Sequence, residues 1–388
     1  MTDFMKLDDT YVAHTYARFP VAFASGKGST VTDVNGREYI DLGSGIAVNG
    51  FGISDDIWLE AVTEQLKKLP HASNLYYTEP CAKLAKMLCE RTGMKKVFFG
   101  NSGAEANECA IKAARKYSAE KHGADCYTIV TLKNSFHGRT LTTLAATGQD
   151  HYHELYQPLT PGFAHIAPGD MAALEALDAK QKVAAVMIEC VQGEGGVVPL
   201  DPVFAQKLEA FCRSHNLLLM VDEVQTGNGR TGKLYAYMHY GLHPDVVSTA
   251  KGLAGGLPLG ATLMSDRVKD ILSYGDHGST FGGNPVCAAG ALSVLDRLTD
   301  DFLQKVTEKA ALLRSLLEGA PGIQSVTGLG LMMGLKTDRP APEVIAGCME
   351  RGVLCLSAKD KVRLLPALNI PEELLRQAAD VIRTVCKP

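Results

Sequence analysis

The stretch "DVVSTAKGLAGGLPLGA" (245–261) holds a single cation, Lys251, at the end of an apolar run and ahead of Gly252, Gly255, Gly256 and Gly260. A loop lysine is ordinarily a surface charge. One held in a site with little competing charge has another use, because a desolvated lysine loses its proton readily and attacks carbonyls. Two further groups bear on the choice. In "LLLMVDE" (217–223) Asp222 closes an apolar run, so it is expected to be buried and to need a cationic partner. A structural salt bridge would serve, and so would a protonated heterocycle nitrogen. In "GNSGAEANE" (100–108) the spacing of Ser102 and Glu105 is that of a capping box. Ser102, with Gly103 and Ala104, also forms a helix start suited to a phosphate, and both readings claim the Ser102 hydroxyl. A phosphate cradle, a buried carboxylate and a strand-end lysine together fit pyridoxal 5'-phosphate, which needs an anion site, an acidic partner for its ring nitrogen and an amine for its aldehyde.

Other patterns resemble sites without fitting one. Gly227, Gly229 and Gly232 match G-x-G-x-x-G, but Asp222 and Glu223 at the entrance would repel a pyrophosphate and no clear helix follows. "SGKGST" (25–30) lacks P-loop spacing. His151 and His153 in "DHYHE" lack further ligands, so a solvated loop is expected there and no metal site.

Lys251, Asp222 and Ser102 belong to a repeating pattern. "KVFFG" (96–100), "CYTIVTL" (126–132), "VAAVMIE" (183–189), "LLLMVDE" and "DVVSTA" (245–250) are short apolar runs, each leading into a polar or glycine-rich cluster. Runs buried on both faces and alternating with helices predict an α/β fold with a mainly parallel sheet. Ligands bind at the carboxyl ends of such strands, where all five clusters would converge. The chain ends read differently. "VTDVNGREYIDL" signals a hairpin at Asn35-Gly36, a long amphipathic helix is expected over roughly 284–318, and short strands and a final helix from Pro371 follow. The expected organisation is a large domain over 56–283, flanked by a smaller α+β domain built from 1–55 and 284–388.

Composition narrows the partners. The formal net charge of −4 comes with no long run of one sign, which argues against nucleic acid or an anionic membrane. The ten cysteines form no C-x-x-C pair, and Cys89, Cys109 and Cys287 lie unpaired in apolar helical stretches, as suits a reducing compartment. No apolar run reaches the ~18 residues of a membrane span, and the N-terminus lacks the pattern of a secretory signal. A cytoplasmic protein is expected.

With "SNLYYTEP", "NSGAEANE", "FHGRT", "QGEGG", "VDEVQTGNGRTGK", "STAKGLAGGLPLGA" and "HGSTFGGNP" in this order, the chain resembles the class III (ω-type) aminotransferases of fold type I over nearly its whole length. It is most similar to their acetylornithine branch, in bacterial arginine biosynthesis. The resemblance implies that Lys251 carries the cofactor's aldehyde and moves the proton, while Asp222 keeps the ring nitrogen protonated. It places Gln225 near the phenolic oxygen, Val224 and Phe136 on the two ring faces, and Ser102, Gly103 and Ala104 on the phosphate. Thr280 would reach the phosphate of a neighbouring subunit, making a homodimer the active unit, with Ser279 as a substrate contact. Arg139, with Tyr16, suits a substrate carboxylate. Arg363 would take the α-carboxylate of 2-oxoglutarate, and Glu194 would cover it when the amino donor is bound. The implied reaction moves the δ-amino group of N-acetyl-L-ornithine to 2-oxoglutarate, and ornithine, succinylornithine, 4-aminobutyrate or diaminopimelate donors share the same residue set. A Schiff-base isomerase or decarboxylase on this fold would have no use for the Glu194–Arg363 pair. The chain departs from the family at "ISDD" (53–56), where a His-Pro turn is usual, and "LLPAL" has one proline where relatives often have two.

Overall fold

The computed structural model describes residues 2–387; Met1 and Pro388, the outermost residues of the expected boundaries, lie outside it. A seven-stranded sheet carries the middle of the chain. Across it run Lys96–Gly100, Gly260–Met264, Val246–Thr249, Leu218–Asp222, Val183–Ile188, Thr128–Leu132 and Phe163–Ile166. Every strand is parallel to the rest except Gly260–Met264, which runs antiparallel to both neighbours. Val183–Ile188 and Leu218–Asp222 are buried along their whole length, which explains their continuous apolar character. Against this sheet lies the helix Gly103–His122, whose buried face is made largely of Ala106, Cys109, Ala110, Ala113 and Ala114. Small side chains there let the helix axis approach the strands closely and hold its N-terminus over their carboxyl ends.

Two four-stranded sheets and a short pairing of Val191–Gln192 with Val198–Pro199 accompany the seven-stranded sheet. The hairpin at Asn35-Gly36 joins Thr30–Asp33 to Glu38–Asp41, with Gly36 at φ 80°. Val353–Leu354 then adds in parallel beside Glu38–Asp41, so both ends of the chain share one sheet. A second sheet runs Ile323–Leu329, Met332–Thr337, Lys361–Leu364, Leu356–Ala358 and carries Arg363. The continuous helix expected over 284–318 is two helices, Pro285–Arg297 and Asp300–Leu317. The physical reason is a second start signal: the Thr299 hydroxyl accepts from Phe302 N–H at 3.2 Å, with Asp300 and Asp301 in the new first turn. At the break Arg91 donates to the carbonyls of Leu295 and Leu298.

The unusual "ISDD" loop is well anchored. Asp55 caps the helix Asp56–Lys68 by accepting from Trp58 N–H at 2.9 Å, and it pairs with Arg297 at 2.7 Å. Among the described residues no helix is long and apolar enough to cross a membrane, and all ten cysteines are free thiols.

Candidate active site

Lys251 is separated from the strand Val246–Thr249 by Ala250 alone and has φ 47°, a left-handed backbone that a lysine adopts only under constraint. The constraint comes from two sides. Asn228, inside the glycine-rich "GNGRTG" loop, donates to Thr249 Oγ1 at 3.0 Å and to Ala250 O at 3.1 Å. Trp58 Nε1 donates to Ala254 O at 2.9 Å just beyond the lysine. The resemblance of that loop to a dinucleotide fingerprint is therefore misleading. Its glycines serve packing: a side chain at Gly229 would meet Leu298, Leu303 and Leu368, and one at Gly232 would meet Thr307.

The Lys251 amine makes no hydrogen bond or ion pair with the described residues. Burial pushes its pKa down, the Glu194 charge opposes that, and the Arg363 charge adds to it. A lysine so placed is disposed to be a neutral amine, which is the form that acts as nucleophile or base.

Asp222 ends the neighbouring strand and is buried. Its Oδ1 accepts from Val224 N–H at 2.9 Å, and its Oδ2 accepts from Asn107 Nδ2 and His137 Nδ1, both at 2.8 Å. Burial alone would lower the His137 pKa, but the hydrogen bond and charge of Asp222 raise it. Within the protein Asp222 is thus partnered by Asn107 and by His137, a residue the sequence reading passed over although it adjoins Phe136. Glu189 is a second omission. Its buried carboxylate accepts from Phe136 N–H at 3.0 Å and Gly193 N–H at 3.3 Å, tying two site loops together. Burial holds its pKa above the usual carboxylate range, against the pull of His137.

Ser102 caps the helix Gly103–His122. Its hydroxyl accepts from Glu105 N–H at 3.2 Å and donates to Glu105 Oε2 at 3.0 Å. Glu105 does not close a reciprocal capping box, because its carboxylate takes the Asn101 backbone N–H at 2.9 Å instead. The N–H groups of the first turn, at Gly103 and Ala104, point past the helix end, where an anion is favoured. Gly103 is required by close approach, since a Cβ there would stand 2.6 Å from Val224 Cγ1. Gly260 is more tightly held still: its Cβ would be 2.2 Å from the Ser102 carbonyl oxygen, on backbone that cannot rotate away. Gly260→Ala is therefore expected to displace the helix start and to destabilise the protein by about 1–3 kcal/mol. A lowered urea midpoint with unchanged m-value would show it, and an unchanged midpoint would refute it.

Lys251, Asp222, Ser102, Gly103, Ala104 and Phe136 line one pocket of about 640 Å³, together with Tyr16, Arg139, Glu194, Val224, Gln225 and Arg363. Arg139 is exposed, lies 5.9 Å from the Phe136 ring centroid and 5.7 Å from that of Tyr152, and has no ion-pair partner among the described residues. Arg363 is buried and donates to Glu194 Oε1 at 2.5 Å and to Gln225 Oε1 at 3.0 Å. Gln225 Nε2 closes the triangle by donating to Glu194 at 3.2 Å. Burial would raise the Glu194 pKa, but the Arg363 guanidinium lowers it, so the pair is ionic. Ser279 and Thr280 are not in this pocket. They line a separate recess with His71 and Asn74, joined to the first by the 3.1 Å bond from Asn101 Nδ2 to Ser279 Oγ. His153 is no part of a solvated loop; it is buried, with Nε2 2.9 Å from Leu144 O.

Behind the pocket, Glu223 is fully buried, and desolvation raises its pKa to about 7 despite bonds from Thr226 Oγ1 and Tyr237 N–H. A carboxyl whose folded pKa lies above its unfolded value of ~4.3 stabilises fully below that value. This contribution is lost as pH rises through about 7. Wild type should therefore lose about 3 kcal/mol relative to Glu223→Gln between pH 4 and pH 8. Urea titrations at both values test this, and parallel pH dependences would refute it.

Comparison with known proteins accords with this geometry. The family described as "Aminotransferase class-III" matches residues 11–386. The chain is 50% identical to an acetylornithine aminotransferase of Haemophilus ducreyi over 98% of this chain and 97% of that one. It is 43% identical to one of Methanocaldococcus jannaschii over 96% and 94%. Among solved structures it is similar to N-acetylornithine aminotransferase from Stenotrophomonas maltophilia (35% identity, TM-score 0.85, 98% of each chain). The ornithine aminotransferase of Toxoplasma gondii, described with partial occupancy of PLP at its active site, matches with 33% identity and TM-score 0.93 over 99% of this chain and 94% of that one. A family match over nearly the whole length and a relative half identical to it place the chain among the class-III aminotransferases.

Proposed function

We propose that the protein transfers the δ-amino group of N-acetyl-L-ornithine to 2-oxoglutarate, giving N-acetylglutamate 5-semialdehyde and L-glutamate, as a step of arginine biosynthesis in the cytoplasm. The Glu194–Arg363 pair carries this reading. A two-substrate enzyme must bind a dicarboxylate in one half-reaction and a donor lacking that carboxylate in the other. An arginine whose charge is covered by a side chain only partly buried meets both needs, since Glu194 can move out when a carboxylate arrives. A decarboxylase or isomerase does not need such a pair.

The residues fit pyridoxal 5'-phosphate as cofactor. A phosphate would lie on the helix start at Ser102, Gly103 and Ala104, which line the same pocket as Lys251 and Asp222. Asp222 would face the ring nitrogen, held in place by Asn107 and His137. Phe136 and Val224 would flank the ring, with Gln225 beside it. When bound, the cofactor supplies the electron sink that makes the carbon next to the reacting nitrogen acidic. Lys251 Nζ, whose pKa burial lowers, would take up that proton and carry it. Arg139 and Tyr16 hold the donor's carboxylate at the exposed mouth.

The active unit in this reading is a homodimer. Thr280 lies outside the Lys251 pocket, and nearby Leu75, Tyr76, Tyr77 and Phe281 are large exposed side chains, as a subunit interface requires.

The test is a visible absorption spectrum of the protein loaded with pyridoxal phosphate, followed during addition of each donor. N-acetyl-L-ornithine should bleach the yellow band at the lowest concentration, and 2-oxoglutarate should restore it. Preferential bleaching by ornithine or 4-aminobutyrate would move the enzyme to that donor, and a protein that stays colourless would overturn the cofactor assignment.

A further inference from the structure

A second cavity, of about 430 Å³, adjoins the Lys251 pocket and shares Tyr16 and Ile46 with it as lining. Its remaining walls are mostly apolar: Phe19 and Val21 on the N-terminal segment, Ile345 and Met349 on the helix Ala341–Glu350, and Leu354 and Leu356 beyond it. The two charged groups present are both engaged, Arg18 with Asp8 at 3.2 Å and Asp41 with the N–H groups of Gly43 and Ser44 at 2.7 and 3.0 Å.

The junction between the cavities is built by unusual backbone. Ser44, Gly45, Ile46 and Ala47 all have positive φ, at 46°, 63°, 63° and 63°. Three of these are not glycine, so the turn runs against their conformational preference and persists because its surroundings dictate it. Asp41 is one such support, through the two N–H groups it accepts. The consequence is that Ile46, a large aliphatic side chain, is 41% exposed where the cavities meet.

We propose that the second cavity is an acyl chamber: it receives the N-acyl group of the amino donor and admits straight, uncharged acyl chains well beyond acetyl. This rests on the reading of the donor as an N-acylated amine. An acetyl methyl would leave the chamber nearly unused. A hexanoyl group adds four methylenes, roughly 120 Å³ at ~30 Å³ for each displaced water-sized volume, and the chamber has room for them. Each methylene removed from water against Phe19, Ile345 or Leu354 favours binding, while the engaged charges leave nothing to reward an acidic acyl group.

The experiment compares N-acetyl-, N-butyryl- and N-hexanoyl-L-ornithine at saturating 2-oxoglutarate, using the holoenzyme. The hexanoyl donor is expected to show a KM about tenfold below that of the acetyl donor, at similar kcat. Met349→Trp and Val21→Trp fill the chamber from different walls and lie outside the Lys251 pocket. Each should keep the acetyl rate within about twofold while lowering kcat/KM for the hexanoyl donor tenfold or more; melting curves check folding, and either variant suffices. A wild type that uses the acetyl donor but handles the hexanoyl one a hundredfold worse would overturn the chamber alone. So would Trp variants that affect both donors equally. No turnover of the acetyl donor, with ornithine accepted, would overturn the N-acyl reading itself and the chamber with it.

Discussion

Replacing Lys251 with alanine lowers the transamination rate at least about 10⁴-fold and leaves the apo-protein's melting temperature within a few degrees of wild type. The two halves of this expectation have separate causes. The rate falls because one amine serves as both nucleophile and proton carrier, and proton transfer by a positioned group is alone worth about 10²–10⁴-fold. Stability is retained because the amine has no hydrogen-bond or ion-pair partner among the described residues, so its removal orphans nothing, and a buried group whose charged form is disfavoured by desolvation disappears. The left-handed backbone at position 251 is equally awkward for alanine, so no strain is relieved or added there. Lys251→Arg separates charge from nucleophilicity: a guanidinium stays protonated, and the variant should be as inactive as alanine. A Lys251→Ala enzyme retaining more than a tenth of the wild-type rate would remove the amine from the mechanism.

What the sequence made legible follows from how far each signal reaches along the chain. Strand ends at Gly100, Asp222 and Thr249 were readable because apolar runs and the polar clusters after them are contiguous. The N-cap at Ser102 and the Asn35-Gly36 hairpin are likewise local. The helix break at Leu298 carried a local signal too, Thr299 followed by two aspartates, but the apolar periodicity continues across it and masked the restart. The residues that hold the site together were not readable. Asn107, His137 and Asn228 act through bonds to Asp222, Thr249 and Ala250, which are distant in sequence, and nothing in an Asn or His reports its partner beforehand. Glu189 lies at the end of an apolar run just as Asp222 does, so the pattern that singled out one carboxylate could have found both. The strands Phe163–Ile166 and Gly260–Met264 were missed for a different reason. The first is short and lies at the sheet edge, and the second begins within the glycine stretch that suggested a loop.

Substituting Arg363 by alanine should divide the two half-reactions. With 2-oxoglutarate, kcat/KM is expected to fall about 10²–10³-fold, the loss of a charge-assisted, bidentate-capable contact of about 3–4 kcal/mol in a buried setting. With the amino donor the fall should stay within about tenfold, because that half-reaction leaves Arg363 covered by Glu194. Glu194→Gln has the complementary signature. It leaves the Arg363 guanidinium, 5% exposed, with only neutral amide acceptors at positions 194 and 225, and removing the charge of one partner of a buried pair costs about 3–5 kcal/mol. The variant should therefore melt lower as apo-protein and recover stability when a dicarboxylate is added, because the ligand supplies the missing negative charge. Donor turnover should suffer, since the uncovered arginine faces a substrate with no carboxylate to offer it. A merely structural pair predicts otherwise: both variants would melt lower, both half-reactions would slow alike, and no dicarboxylate would rescue Glu194→Gln. The half-reaction split and the ligand-dependent melting shift thus answer one question twice, and they must agree if Glu194 is a movable cover over Arg363 and not a strut.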